Sequence, residues 1–126
     1  DMATLPGACV VALGPQCSGL FATDQPLARR LLGAAERAGE RVWQLPLIDE
    51  YREGLKSEVA DINNVGQRGG GAITAALFLK EFAGTIPWAH FDIAGPAFID
   101  KDSPLGPKGA TGVAVRTILT YLTNGR

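Results

Sequence analysis

Helical segments and short apolar segments alternate along the whole chain, and this alternation limits the fold more than any other feature of the sequence. The clearest predicted helix lies between Asp24 and Gly39. Thr23 or Asp24 can cap its start, and Pro26 suits its first turn. Gly39 itself suits the left-handed position that follows a helix. The hydrophobic periodicity predicts further helices over residues 49–58, 72–83 and 110–122, and strands over residues 8–13, 41–45 and 88–94.

The predicted strands are of two kinds. Residues 8–13 form a continuous apolar run bounded by glycine and proline on both sides, which predicts a strand buried on both faces. Residues 88–94 alternate instead, so that Trp88, His90 and Asp92 share one face. Strands that alternate with helices in this way indicate an α/β fold with a mostly parallel sheet.

Two of the predicted helices carry information about packing. The helix over residues 72–83 is apolar nearly all the way round, so we expect it to be buried between layers. The last helix, over residues 110–122, is expected to turn four apolar residues inward: Val113, Ile118, Leu119 and Leu122.

The composition excludes several classes of protein. Hydrophobic residues make up 46% of the 126 residues, which is enough for a core and excludes a disordered tail. The net charge of −1 argues against a nucleic-acid partner, and no apolar run approaches the roughly 20 residues of a membrane helix. With one histidine and two cysteines, the chain alone builds neither a His-rich metal site nor a disulfide scaffold.

Two glycine-rich segments precede predicted helices and are candidate phosphate sites. Residues 66–71 and residues 106–112 each place glycines where free N–H groups at a helix start could face an anion. Neither segment has the spacing of a dinucleotide-binding or P-loop motif. The alternative interpretation of both is a tight helix entry that lets helix and sheet approach closely.

Four further side chains carry reactive groups. His90 and Asp92 lie two residues apart on one strand face and could form a general-base pair, although a lone histidine beside Trp88 is more often a half-buried structural residue. Cys9 and Cys17 are interpreted as a buried small hydrophobe or an inert loop thiol.

Six stretches, in this order and spacing, are similar to the C-terminal part of the catalytic domain of leucyl aminopeptidases, the cytosol aminopeptidase family. They extend over nearly all of the chain: DMATLPGA at residues 1–8, WQLPL at 43–47, SEVAD at 57–61, GGGAITAA at 69–76, WAHFDIAG at 88–95, and GATG at 109–112 followed by Val115 and Arg116. The resemblance implies a three-layer α/β/α fold with a mixed, mostly parallel sheet, incomplete in this chain.

The resemblance also implies a function. Members of the family are cytoplasmic, hexameric exopeptidases that remove N-terminal residues, often leucine, from peptides. They use two divalent ions, manganese or zinc, to polarise the scissile carbonyl and supply a hydroxide. In the family the metal ligands and the stretch carrying a catalytic arginine precede the segment that Asp1 matches. We therefore expect residues 1–126 to be a C-terminal portion that holds no metal ligand or catalytic residue and is inactive alone.

The resemblance assigns this chain the substrate-side wall. Thr4, Leu5 and Gly7 match a loop that contacts the substrate, with the Leu5 C=O accepting from the substrate amine and the Gly7 N–H donating toward the substrate. Ala94 and Ala97 match further positions in the wall of the first specificity pocket.

Two features of this wall depart from the family pattern. Pro6 stands where the family usually has threonine, and proline removes a donor and fixes φ. Ala97 is small where a larger apolar residue is common, which could widen the pocket. The alternative function is a non-catalytic assembly or binding module derived from the same fold.

Overall fold

The computed structural model describes residues 1–5, 7–66 and 68–123. Its strands and helices follow the predicted alternation for most of the chain. In chain order they are β1 (Met2–Ala3), α1 (Ala8–Leu13), β2 (Ser18–Ala22), α2 (Gln25–Ala38), β3 (Val42–Gln44), a 3-10 helix (Asp49–Leu55), α3 (Gly71–Glu81), β4 (Ala89–Asp92), β5 (Phe98–Ile99), β6 (Gly109–Ala110) and α4 (Val115–Thr123).

Four strands form one sheet in the order β1-β4-β2-β3. β1 pairs with β4 in parallel, and β2 pairs with β3 in parallel. The central pair, β2 with β4, is antiparallel. The sheet is therefore mixed and mostly parallel, as expected, while β5 and β6 form a separate antiparallel pair.

Helices cover both faces of the sheet, which gives the expected three layers. On one face the side chains of Phe21 and Trp88 pack with Cys9 of α1 and Ala76 of α3. On the other face, a second cluster joins the sheet to α2 and α4 through Leu20, Ala28, Leu31, Phe91 and Ala114. Phe91 and Trp88 therefore lie on opposite faces of β4, as the alternation predicts.

The helix α2 begins and ends where the sequence predicts. Asp24 precedes it in extended conformation without a side-chain capping bond, Pro26 lies in its first turn, and Gly39 follows it with a left-handed φ of 69°. The N–H of Gly39 donates to the carbonyls near the end of the helix, which satisfies groups that the helix leaves open.

The prediction of a strand over residues 8–13 is wrong, because this segment is the helix α1. Only Cys9 of the helix is fully buried, and Val11 is 90% exposed, so the run is not enclosed on both faces. The strand at this point of the chain is β2, which has a serine and a glycine at its start and was not predicted from the sequence.

The prediction for the last helix is partly wrong. α4 begins at Val115, and residues 109–110 form β6 instead of its first turn. Ile118 packs into the core as expected, but Leu119 and Leu122 are exposed. Thr117 is the fully buried residue of the helix, because its hydroxyl and N–H both donate to the carboxylate of Glu40.

The remaining predictions hold in outline. Residues 49–55 form a 3-10 helix where a short surface helix was expected. α3 starts at Gly71 and buries Ala72, Thr74, Ala76 and Leu77. In the part of the chain that the structure describes, no helix is long and apolar enough to cross a membrane.

Candidate functional site

The parallel pairing of β1 and β4 brings the two predicted halves of the substrate wall to one edge of the sheet. Ala3 lies opposite Asp92, and the N–H of Ile93 donates to the carbonyl of Ala3 at 2.9 Å. Thr4 follows β1 and Ala94 follows β4, so both leave the sheet at its shared carboxyl edge. In open α/β sheets, ligands bind outside the carboxyl ends of the strands.

Gly7 lies at the start of a helix, not at the turn before a strand. It precedes α1 with φ −51° and ψ −7°, and its carbonyl accepts a hydrogen bond from the Val11 N–H at 2.9 Å. A Cβ built on Gly7 meets nothing within 4 Å. Thr4 and Gly7 are exposed and Leu5 is half-buried, while Pro6 lies outside the described residues.

Ala94 and Ala97 belong to a turn that backbone hydrogen bonds hold in place. The Ala94 N–H donates to Oδ1 of Asp92 at 3.1 Å. The Ala97 N–H donates to the Ile93 carbonyl, and the Ala97 carbonyl accepts from the Thr111 N–H, both at 3.0 Å. Both alanines are partly exposed, so this turn presents their methyl groups at the edge.

The end of α1 touches this same turn. A Cβ at Gly95 would lie 2.4 Å from the carbonyl oxygen of Gly14, the residue that ends α1. Real Cβ atoms do not approach backbone this closely, so only glycine fits at position 95. Sequence reasoning missed this contact, because a glycine after a strand does not indicate which backbone approaches it.

His90 and Asp92 do not form a general-base pair that a substrate could reach. Both side chains are fully buried, and the His90 ring lies between Trp88 and Phe21, with ring centroids 6.0 Å and 6.2 Å away. Burial lowers the pKa of His90 to about 4, against an opposing effect of the Asp92 charge. The ring is therefore neutral near pH 7, as for a structural histidine.

Nδ1 of His90 lies 2.8 Å from Oδ2 of Asp1. Because an ionised carboxylate only accepts hydrogen bonds, Nδ1 carries the ring proton. Nε2 then has a lone pair and no hydrogen-bond partner among the described residues.

The two cysteines have the properties of structural thiols. Cys9 is buried in the core, and burial, with the negative charge of Asp92, raises its pKa to about 11. Burial also raises the pKa of Cys17, whose thiol donates to the Ser18 carbonyl at 3.6 Å. Because the thiolate is the reactive form, raised pKa values leave both groups unreactive at neutral pH.

The first glycine-rich segment packs tightly at the entry to α3, in keeping with its structural interpretation. Gly70 has a left-handed φ of 61°, and a Cβ there would lie 2.6 Å from the ring of Tyr51. A Cβ on Gly71 would lie 3.1 Å from the Cβ of Ala8, so α3 starts against α1. Gln67, within this segment, lies outside the described residues.

An internal carboxylate meets the helix that follows the second glycine-rich segment. Glu40 is almost fully buried, and its two oxygens accept from the N–H groups of Ala114 and Thr117 at 3.1 Å and 3.0 Å. A negative charge at a helix start interacts favourably with its dipole and its open N–H groups. The chain thus places one of its own anions where the sequence could have indicated a phosphate.

The side chains present do not fit a two-metal centre. Within residues 1–5, 7–66 and 68–123, no three His, Cys, Asp or Glu side chains come together as a metal-ligating group. The buried carboxylate of Asp92 already accepts a backbone N–H, and that of Glu40 caps α4. Two-metal hydrolysis therefore cannot be assigned to the described side chains.

Residues 1–119 match the profile described as "Cytosol aminopeptidase family, catalytic domain". The chain belongs to the cytosol aminopeptidase family. This confirms the resemblance on which the five substrate-wall residues were predicted.

Relatives from several organisms are similar to this chain over nearly its whole length. A probable cytosol aminopeptidase of Rippkaea orientalis is 56% identical over 97% of this chain, and one of Geobacter sp. (strain M21) is 57% identical over the same share. In both cases the chain spans 25% of the relative's own length. The chain therefore corresponds to about a quarter of the length of these relatives.

Solved structures agree with the fold. A mutant of tomato leucine aminopeptidase superposes with a TM-score of 0.92 at 44% identity, and the match covers 99% of this chain and 24% of the tomato protein. The bottromycin maturation enzyme BotP, in complex with Mn, superposes with a TM-score of 0.90 at 48% identity, over 98% of this chain and 28% of that protein. The mixed sheet with helices on both faces is thus the fold of the matching part of leucine aminopeptidases.

Proposed function

We propose that this chain supplies the substrate-facing wall of an aminopeptidase that removes N-terminal residues, often leucine, from peptides. The observation that carries the proposal is the parallel register of β1 and β4, which places Thr4 and Ala94 at one carboxyl edge. Membership in the cytosol aminopeptidase family supports the proposal that a peptide substrate binds at this edge. Thr4 and Ala94, which the resemblance assigns to one wall, thus follow adjacent parallel strands.

Each half of the wall has its own task in this proposal. The Leu5 carbonyl accepts a hydrogen bond from the substrate amine, and the Gly7 N–H donates toward the substrate backbone. The methyl groups of Ala94 and Ala97 bound the pocket for the first side chain. Since alanine is small, we expect Ala97 to leave this pocket wide.

Two divalent ions, manganese or zinc, supply the Lewis acid and the hydroxide of the reaction when bound. We propose that residues outside this chain hold them, since the described side chains do not form such a centre. On this proposal the chain alone binds no metal pair and does not hydrolyse leucine amide. Calorimetry of the purified chain with zinc or manganese tests the first point, and two sites of micromolar or better affinity would contradict it.

The proposed location, substrates and oligomeric state are those that the family resemblance implies. We propose a cytoplasmic protein that acts on peptides as part of a homo-oligomer, a hexamer in the full-length form. The near balance of basic and acidic residues, 12 against 13, argues against a nucleic-acid partner.

A chimera tests the proposed function directly. Residues 1–126 replace the matching segment of tomato leucine aminopeptidase, and leucine-amide hydrolysis is measured beside the unmodified host. We expect metal-dependent turnover that a chelator abolishes. A chimera that is folded and binds metal like the host but has no turnover would support the non-catalytic assembly module instead.

A further inference from the structure

One buried carboxylate is bonded to the Ala94 half of the proposed wall. Asp92 ends β4, is fully buried, and accepts the Ala94 N–H at 3.1 Å through Oδ1. Its other oxygen, Oδ2, has no hydrogen-bond partner among the described residues. A buried carboxylate is costly unless its contacts compensate for the lost hydration, so this position asks for an explanation.

The same carboxylate adjoins α1, the helix that begins after Gly7. Gly19 lies opposite Asp92 in the antiparallel pair of β2 and β4. A Cβ at Gly19 would lie 2.9 Å from Sγ of Cys9 and 3.7 Å from Cβ of Asp92. The missing side chain of Gly19 thus makes room for the Cys9 sulfur beside Asp92.

The charge on Asp92 acts on this thiol. Burial raises the pKa of Cys9 to about 11, and the negative charge of Asp92 contributes to the rise. The thiol therefore keeps its proton, which gives α1 a weak donor beside the carboxylate. The contact of Gly95 with the Gly14 carbonyl joins the other end of α1 to the same turn.

We propose that Asp92 is a positioning residue for the specificity pocket: it holds Ala94 in that wall through the bond from the Ala94 N–H to Oδ1. This inference rests on the proposed function. Asp92 itself is buried and does not touch the substrate. Its effect therefore falls on substrate selection rather than on the chemical step.

The test compares Asp92→Ala with Asp92→Asn in the tomato chimera. Asparagine keeps an oxygen that accepts from the Ala94 N–H, whereas alanine removes it. We measure kcat and KM for leucine amide and for alanine amide. We expect Asp92→Ala to lower the leucine-over-alanine ratio of kcat/KM about tenfold, mainly through KM for leucine amide, because losing the contact of one methylene in a hydrophobic pocket has an effect of about this size or more. Asp92→Asn should restore the ratio.

Thr23→Ala is the matched control. Thr23 Oγ1 bonds the N–H and carbonyl of Trp88 just before the other end of β4, so its loss removes similar bonds away from the wall. We expect Thr23→Ala to leave the substrate ratio unchanged. Equal losses for both substrates in Asp92→Ala, or an unchanged ratio, would overturn the positioning role.

Hydrogen exchange of the Ala94 amide, in the chain itself, gives a readout that needs no activity. We expect this amide to exchange at least tenfold faster in Asp92→Ala and at the original rate in Asp92→Asn. Unchanged exchange in Asp92→Ala would overturn the inference. A folded, metal-bound chimera without turnover would count against the proposed function, while the exchange result still decides whether Asp92 holds Ala94.

Discussion

The sulfur of Cys9 occupies the space that a side chain at Gly19 would need, because an ideal Cβ at Gly19 lies 2.9 Å from Cys9 Sγ. This pair joins α1 to the centre of the sheet. Ala8 and Leu13 also pack against this core, but a side chain at position 19 would displace the fully buried residue of the helix, Cys9. The packing of α1, and with it the position of Gly7, therefore depends on a small residue at position 19.

Gly19→Ala should destabilise the chain. The added methyl meets Cys9 Sγ at 2.9 Å and the Leu45 side chain at 3.3 Å, so at least one neighbour must move. Overpacking of this kind costs about 1–3 kcal/mol. Thermal unfolding of the purified chain should show a lower Tm.

The double variant Gly19→Ala/Cys9→Ala is the control for this cause. Removing the sulfur opens the space that the new methyl needs, so the double variant should recover much of the lost Tm. A double variant no more stable than the sum of the two single effects predicts would show that the two residues do not compete for space.

Acid should destabilise the chain through His90. Burial lowers the pKa of the folded His90 to about 4, below its ordinary value of 6.5, so the unfolded chain binds more protons between these values. The stability contributed by the neutral ring is complete above pH 6.5 and is lost as the pH falls toward 4. Urea unfolding at intervals across this range measures the effect.

His90→Phe removes the titrating group and keeps an aromatic ring between Trp88 and Phe21. The variant loses the bond to Asp1 and should be less stable at neutral pH, but its stability should vary less between pH 6.5 and 4. An equal pH dependence in both proteins would assign the acid sensitivity to other groups.

The isolated chain should self-associate through exposed apolar surface. Val115, Leu119 and Leu122 lie on one side of α4 and are 52%, 56% and 62% exposed. Contiguous apolar patches of more than a few hundred Å² mark contact sites, and the sheet edge at β1 adds open hydrogen-bonding groups. Sedimentation velocity at increasing concentration should show species larger than a monomer.

Leu119→Glu should weaken this association by placing a charge among the exposed apolar residues of α4. Gln25→Glu adds the same charge at an exposed position of α2 and should leave the association unchanged. A monomer at high concentration in the unmodified chain would exclude the prediction.

Local signals determined how well each element could be predicted. α2 has a proline in its first turn and a glycine after its end, and both act on neighbouring backbone, although neither Thr23 nor Asp24 makes a side-chain capping bond to it. Residues 8–13 lack such signals, and a short apolar run fits a buried strand or a helix equally well. Ser18 and Gly19 at the start of β2 hide that strand, because neither favours strands by itself.

The features of the candidate site also fall into those that local sequence or the resemblance indicates and those that depend on packing between distant segments. The resemblance placed Thr4 and Ala94 in one wall, and the sheet register makes them neighbours. The bond of Asp92 to Ala94 is local, and an aspartate two residues before a turn position could have indicated it. The contacts of Cys9 with Gly19 and of Gly95 with Gly14 depend on how distant segments pack, which no local pattern contains.

The most direct test of the substrate wall measures kcat/KM and Tm for Gly7→Val in the tomato chimera and compares the two changes. Within the described chain a Cβ at Gly7 meets nothing within 4 Å, and its φ of −51° suits any residue. A large catalytic loss must therefore come from the substrate or from neighbours beyond this chain. Gly33→Val, a similar change within α2, serves as the control for helix effects.

We predict that Gly7→Val lowers kcat/KM for leucine amide about a hundredfold, since a displacement of about 1 Å at a reacting substrate has this effect. Its Tm should change little, and Gly33→Val should keep near-normal kcat/KM. Near-normal kcat/KM in Gly7→Val would contradict the account, because residues 4–7 would then lie away from the substrate and only the fold would be shared.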